Sequence, residues 1–291
     1  MALGNVALIA VLLTGLFSAL FDLTQKLLGR HLAPLPMVAL LGLASLPLFL
    51  VPLGWIGLPE VAAAYWLPAV VAAVFHFLSH LAFIQSVRLA DFSLTVPLLS
   101  LTPVFTTLLA WPMLGEQPTP RTIWGILLVV FGVALLQWPA SFSLGDFLSS
   151  WRARGPWLMI ATAALWSITL PLDKLAVARS SALFHGFFLT LAITAAALGT
   201  LLLRREKLPL GELRACRGLF WGAFVFCAAA LASQLFALSL TLAGIVETIK
   251  RGLGNLLAVF FGYLVFGEPM RSGKWLASLI MAIGVALILL P

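Results

Sequence analysis

Two adjacent cations, Lys250 and Arg251, stand immediately before an apolar stretch, 252–267, that is only 16 residues long. A helix needs about 20 apolar residues to cross a hydrocarbon core of about 30 Å, and 16 residues rise only about 24 Å. A spanning helix must therefore begin earlier and carry Lys250 and Arg251, with Glu247, into the lipid region. Cations at that depth cost free energy, so they face a cavity and mark the path of a substrate or ion. The competing arrangement is a helix that starts late, with both side chains snorkelling to the interface; it leaves a remainder too short to span. Glu247 precedes Lys250 by three residues and Arg251 by four, which sets it on the same side of the helix. It can neutralise one cation and leave the other for an anionic group on a ligand.

Other polar residues inside apolar stretches extend this candidate site. His76 and His80 are four apart, hence on one helical face. They suit a proton-coupling pair, direct polar contacts to substrate, or a structural pair bonding two helices. Gln234 and Ser233 occupy the corresponding place later in the chain. Asn255 lies one turn beyond Arg251, to line the same cavity or to join helices. Trp166 can wall a substrate site, whereas Trp55, Trp66, Trp138, Trp157 and Trp221 fall near the ends of apolar runs and suit an aromatic belt. Asp22 with Lys26, and Asp173 with Lys174, read as interface-level salt bridges and snorkelling lysines. No nucleophile elbow, phosphate-binding glycine loop or metal-ligand spacing is present, so neither an enzyme, a metal nor a cofactor is expected. Cys216 and Cys227, eleven apart, form no metal or disulfide motif.

These residues must be held by membrane helices. The chain is 62% hydrophobic and 9% charged, with a mean hydropathy of +1.11, against about 25% charged residues in soluble proteins. Its charges cluster between ten charge-free stretches: 1–21, 32–59, 61–87, 92–115, 122–145, 155–172, 180–203, 218–246, 252–267 and 275–291. Backbone groups in lipid must be bonded within the segment or within a closed barrel. Continuous rather than alternating apolar runs select helices. The expectation is an all-α, multi-pass integral membrane protein of ten transmembrane helices, with Pro47, Pro97, Pro103 and Pro171 as kink sites. The first run lacks a basic n-region and is expected to be retained rather than cleaved.

The net charge of +7 does not point to nucleic acid, because no basic block is interleaved with aromatics. If ten helices alternate, one set of loops holds twelve Lys and Arg and the other holds three (Arg121, Lys174 and Arg179). Five of the twelve lie in one loop, Arg204–Arg217. The positive-inside rule makes the richer set cytoplasmic, with both termini outside, in a cell (inner) membrane.

The chain also repeats itself. Leu114-Gly115-Glu116 matches Phe266-Gly267-Glu268; Trp124 matches Trp275; and Gly132–Leu135 matches Gly284–Leu287, at offsets of 152, 151 and 152. Ser86–Ala90 matches Ser239–Ala243 at 153, and Lys26 matches Lys174 at 148. On this register the counterparts of Lys250 and Arg251 are Leu98 and Leu99. Glu116 and Glu268 read as architectural, each opening the turn into the last helix of its half. A five-helix unit has an odd number of crossings, so its second copy lies upside down, the inverted repeat of secondary transporters. The boundaries expected are 1–138, a linker at 139–155, and 156–291.

Together with Pro97–Pro103 at the fourth helix, these motifs resemble the ten-helix EamA-type members of the drug/metabolite transporter superfamily, over essentially the whole chain. The resemblance implies a secondary transporter of a small molecule, working in a lipid bilayer with proton or ion coupling, and not an enzyme. The Lys250-Arg251 pair is similar to that of plastid phosphate translocators in the same superfamily, where such a pair binds phosphate. That implies a substrate with a phosphate or carboxylate group, matched bidentately by Arg and as a point charge by Lys. Two alternatives stay open: an exporter of amino acids or neutral metabolites, and a flippase of a lipid-linked phosphate.

Overall fold

The computed structural model describes residues 4–115, 117–137, 153–268 and 272–289. Glu116, most of the expected linker, and Arg152 and Arg271 lie outside the described residues. Within them the chain is helical, without strands: α1 (Asn5–Leu28), α2 (Pro34–Ile56), α3 (Trp66–Leu89), α4 (Leu101–Leu114), α5 (Pro120–Gln137), α6 (Arg154–Ala178), α7 (Ala182–Arg204), α8 (Arg217–Leu240), α9 (Ala243–Phe266) and α10 (Ser272–Leu289). Seven stretches among the described residues are long and apolar enough to cross a membrane, namely α1, α2, α3 with the 3₁₀ turn before it, α6, α7, α8 and α9. This is a multi-pass membrane protein. Its outer faces carry apolar side chains such as Val6, Leu67, Val74, Phe131, Phe260 and Leu279, as lipid-facing surfaces require.

The packing repeats. α3 lies along α6 and α1 along α8; α4 meets α6 and α9 meets α1; α3 touches α7 and α8 touches α2. α2 packs on α7, α4 on α9 and α5 on α10. Exchange of each helix with the one five places on turns this set of neighbours into itself. Two exposed-backbone devices also recur. Gly115 and Gly267 end α4 and α9 in the left-handed conformation, at φ 72° and φ 65°, which a side chain makes costly. That is the physical content of the repeated Gly-Glu turns. Gly132 and Gly284 sit at the crossing of α5 with α10, where a Cβ on Gly284 would fall 2.8 Å from the Gly125 carbonyl oxygen and one on Gly132 would fall 2.7 Å from Met281 Cγ.

The two halves differ where their fourth helices begin. Before α4 come a short turn, Phe92–Thr95, and a 3₁₀ segment, Val96–Ser100, that contains Pro97. Proline cannot donate the backbone bond that an α-helix needs there. The corresponding residues of the second half carry no proline, and α9 runs through them as a continuous 24-residue helix. Pro47 and Pro171 are accommodated inside α2 and α6.

Contacts between connections sort into two ends of the molecule. At one end Ala62 N–H donates to Arg179 O at 3.1 Å, Arg179 donates to Ala64 O at 2.8 Å, and Lys174 Nζ donates to Thr241 O at 3.0 Å. At the other end Ser86 Oγ donates to Gly155 O at 2.7 Å, and Lys26 Nζ lies 3.9 Å from Glu268 Oε1. Each end gathers connections that helices crossing in alternation would deliver to it.

Candidate functional site

α9 starts at Ala243, so Lys250 and Arg251 are its eighth and ninth residues, about 11–12 Å along its axis at 1.5 Å per residue. Both are buried, at 7% and 5% exposure, and Glu247 at 1%. One carboxylate answers both cations: Glu247 Oε2 is 2.6 Å from Lys250 Nζ, and Oε1 accepts from Arg251 Nε at 2.6 Å. Helical spacing of three and four residues makes this fork possible. Lys250 Nζ also donates to Gln234 Oε1 on α8 at 2.9 Å. The Arg251 guanidinium lies over the Trp166 ring of α6, 4.5 Å from its centroid, a cation–π contact that fixes the plane of its donor fork.

These groups wall a cavity of about 120 Å³ between α1, α3, α6, α7, α8 and α9. Lys250, Arg251, Glu247, His76, His80, Gln234 and Trp166 all line it, and so does Asp22. A smaller space of about 70 Å³ adjoins it, walled mainly by apolar and small side chains of α2, α7 and α8 and sharing Phe21, His80 and Ile193. The chamber thus has a charged wall and an apolar extension. Asn255 is not among its lining residues. It donates to Ser100 Oγ and approaches Met281 Sδ at 3.8 Å, joining α9 to the 3₁₀ segment and to α10. Ser233 turns back onto its own helix, donating to Ala229 O at 2.6 Å.

In the two Asp/Lys pairs the aspartates turn inward, Asp22 to the cavity and Asp173 to two histidines. Lys26 lies over the rings of Phe266 and Phe92, at 4.6 and 5.5 Å, beside Glu268, and Asp22 faces the cavity one turn earlier. Glu268 Oε2 accepts from Ser93 N–H at 3.2 Å, so this glutamate ties the end of α9 to the short Phe92–Thr95 turn before α4. Asp173 is fully buried. Its Oδ2 is 2.8 Å from His76 Nε2 and its Oδ1 3.2 Å from His185 Nε2, while His185 Nδ1 is 3.1 Å from the Tyr65 hydroxyl. His185 and Tyr65 escape a reading by spacing, because the bonds that give them meaning join residues 120 apart (Tyr65 with His185) and 12 apart (His185 with Asp173). Among the described residues, no group of three or more metal-ligating side chains is gathered.

Comparison with known proteins adds the family. No curated protein matches the chain. A crystal structure superposes with a TM-score of 0.68 over 97% of this chain and 95% of that one, at 16% sequence identity, a likeness of fold alone. The family model described as "EamA-like transporter family" matches residues 5–138 and again 153–290, one copy on each half of the repeat. The chain belongs to the EamA-like transporter family of the drug/metabolite transporter superfamily.

Proposed function

We propose that this protein is a secondary active transporter of small polar metabolites bearing a phosphate or carboxylate group. It works by alternating access between two inverted halves of five crossings each, with both termini outside the cytoplasm. The observation that carries the substrate class is the wall made by Lys250 and Arg251: two buried cations bonded to one carboxylate, on a cavity large enough for a small metabolite group. A guanidinium has five donors, and the bond to Glu247 engages Nε. Trp166 holds the plane in which the others can meet two anion oxygens. The neighbouring apolar space suits a substrate with a small carbon body behind its charged group.

Asp22 favours a second reading. It brings a second carboxylate to the same cavity, which suits the ammonium of a zwitterion such as an amino acid while Lys250 and Arg251 take the carboxylate. Ligand-induced thermal stabilisation of the purified protein separates the two. Phosphorylated and carboxylated metabolites are expected to raise the unfolding temperature of the wild type but not of Arg251→Ala or Lys250→Ala, with Arg251→Lys intermediate. Stabilisation by amino acids that is lost in Asp22→Asn selects the second reading. Stabilisation by cationic compounds alone refutes both.

A further inference from the structure

The hydrogen-bonded chain Tyr65–His185–Asp173–His76 lies apart from the cation wall and touches the cavity at one end. All four residues are buried. They come from the 3₁₀ turn Ala63–Tyr65 and from α7, α6 and α3. Neutral imidazoles satisfy every contact in one direction. Tyr65 O–H donates to His185 Nδ1, His185 Nε2–H donates to Asp173 Oδ1, and His76 Nε2–H donates to Asp173 Oδ2. In that state the four groups together carry a net charge of −1 in a buried setting, which is costly. A single added proton, held on an imidazole beside the carboxylate, makes them neutral overall.

We infer that the His76–Asp173–His185 cluster, in which one carboxylate joins two imidazoles, is the proton-binding site of this transporter, filled from the end of the molecule at Tyr65 and facing the cavity through His76. Tyr65 directly follows the exposed residues Ala62–Ala64, which bond Arg179. At the other end His76 and His80 line the cavity with Asp22, Glu247, Lys250 and Arg251. These, with Cys227 of α8, are the titratable groups that face the network across the chamber. Lys174, beside Asp173, turns to Thr241 O, and α2 contributes no titratable side chain. A proton taken up as an anion enters cancels one unit of charge, so the two cross together without net transfer. That coupling role rests on the transport reading above; the proton site itself does not.

Four histidines make the test tractable. The full-length protein, labelled with nitrogen-15 in its histidines and reconstituted in lipid, is titrated from about pH 5 to about pH 9, the range in which imidazoles change charge, and each ring is assigned by single substitution. His76 and His185 are expected to change protonation in one shared step, and Asp173→Asn is expected to split it into two independent ones. Independent steps in the wild type, no step at all, or a shared step that survives Asp173→Asn would each overturn the inference. The wild-type titration decides the matter even if the variant does not fold. It needs no substrate, so its failure is distinct from a failure of the anion site, which ligand stabilisation through Lys250 and Arg251 reads separately.

Discussion

Glu247 holds two cations at once, and its removal has a different meaning from theirs. Lys250→Ala or Arg251→Ala leaves the carboxylate one partner. Glu247→Ala leaves two cations facing each other in a buried wall, and loss of one member of a buried charge cluster costs about 3–5 kcal/mol. Glu247→Ala is therefore expected to lower the thermal unfolding midpoint in detergent more than either cation-to-alanine change. Glu247→Gln, which keeps one oxygen acceptor but turns an amide N–H towards the other cation, is expected to fall between. At this scale the sequence was informative wherever a residue contradicts its surroundings along the chain. Lys250 and Arg251 are conspicuous because the stretch after them is too short to span alone. Asp173 is not conspicuous in that way: it neighbours a lysine at the edge of an apolar run. Its role is decided by His76, 97 positions away, which only packing of α3 against α6 brings near. Asp22 was misread for a related reason, since a partner four residues on was available in sequence while the aromatic rings that attract Lys26 are distant in it.

Helices were easier to read than their interruptions. Length and hydropathy locate the apolar segments, and the Gly-Glu repeat marks the left-handed caps at Gly115 and Gly267. The 3₁₀ segment before α4 was not separable from the helix that follows it, because a proline in a membrane helix kinks in some settings and breaks in others. The α5–α10 crossing rests on the glycines of the repeated Gly-Val-Ala-Leu runs, which let backbones meet without side chains between them. Gly284→Ala must push Val129 and the Gly125 carbonyl away. It is expected to destabilise the protein by about 1–3 kcal/mol, the usual cost of overpacking, while Gly254→Ala, with open space around its Cα, should leave stability near the wild type. Thermal unfolding of the two variants in parallel checks this.

For the whole molecule, the sorting of connections into two ends makes a topological statement that fusions can test. Reporters placed in the loop between α7 and α8 should report the cytoplasm, and reporters at 58–62 and at 180–181 should report the opposite side. The opposite result would reverse the orientation without altering the helix pairing. Pairing of the two halves was legible in the weak internal repeat, and the neighbour pattern of the helices repeats it in three dimensions.

The difference between the halves at 96–100 and 248–252 has a kinetic implication. In a transporter of two interchangeable halves, the two end states of the cycle would be related by the two-fold rotation that exchanges the halves and equally populated at rest. Here one half offers a proline-broken 3₁₀ segment with Leu98 and Leu99, and the other a continuous helix with a charged fork. When the halves trade conformations, the fork enters a new setting and the leucines cannot take its place. On the proposed mechanism the two end states are then expected to differ in free energy, so that the empty protein favours one of them, a bias that a symmetric dimer of identical five-helix chains would lack.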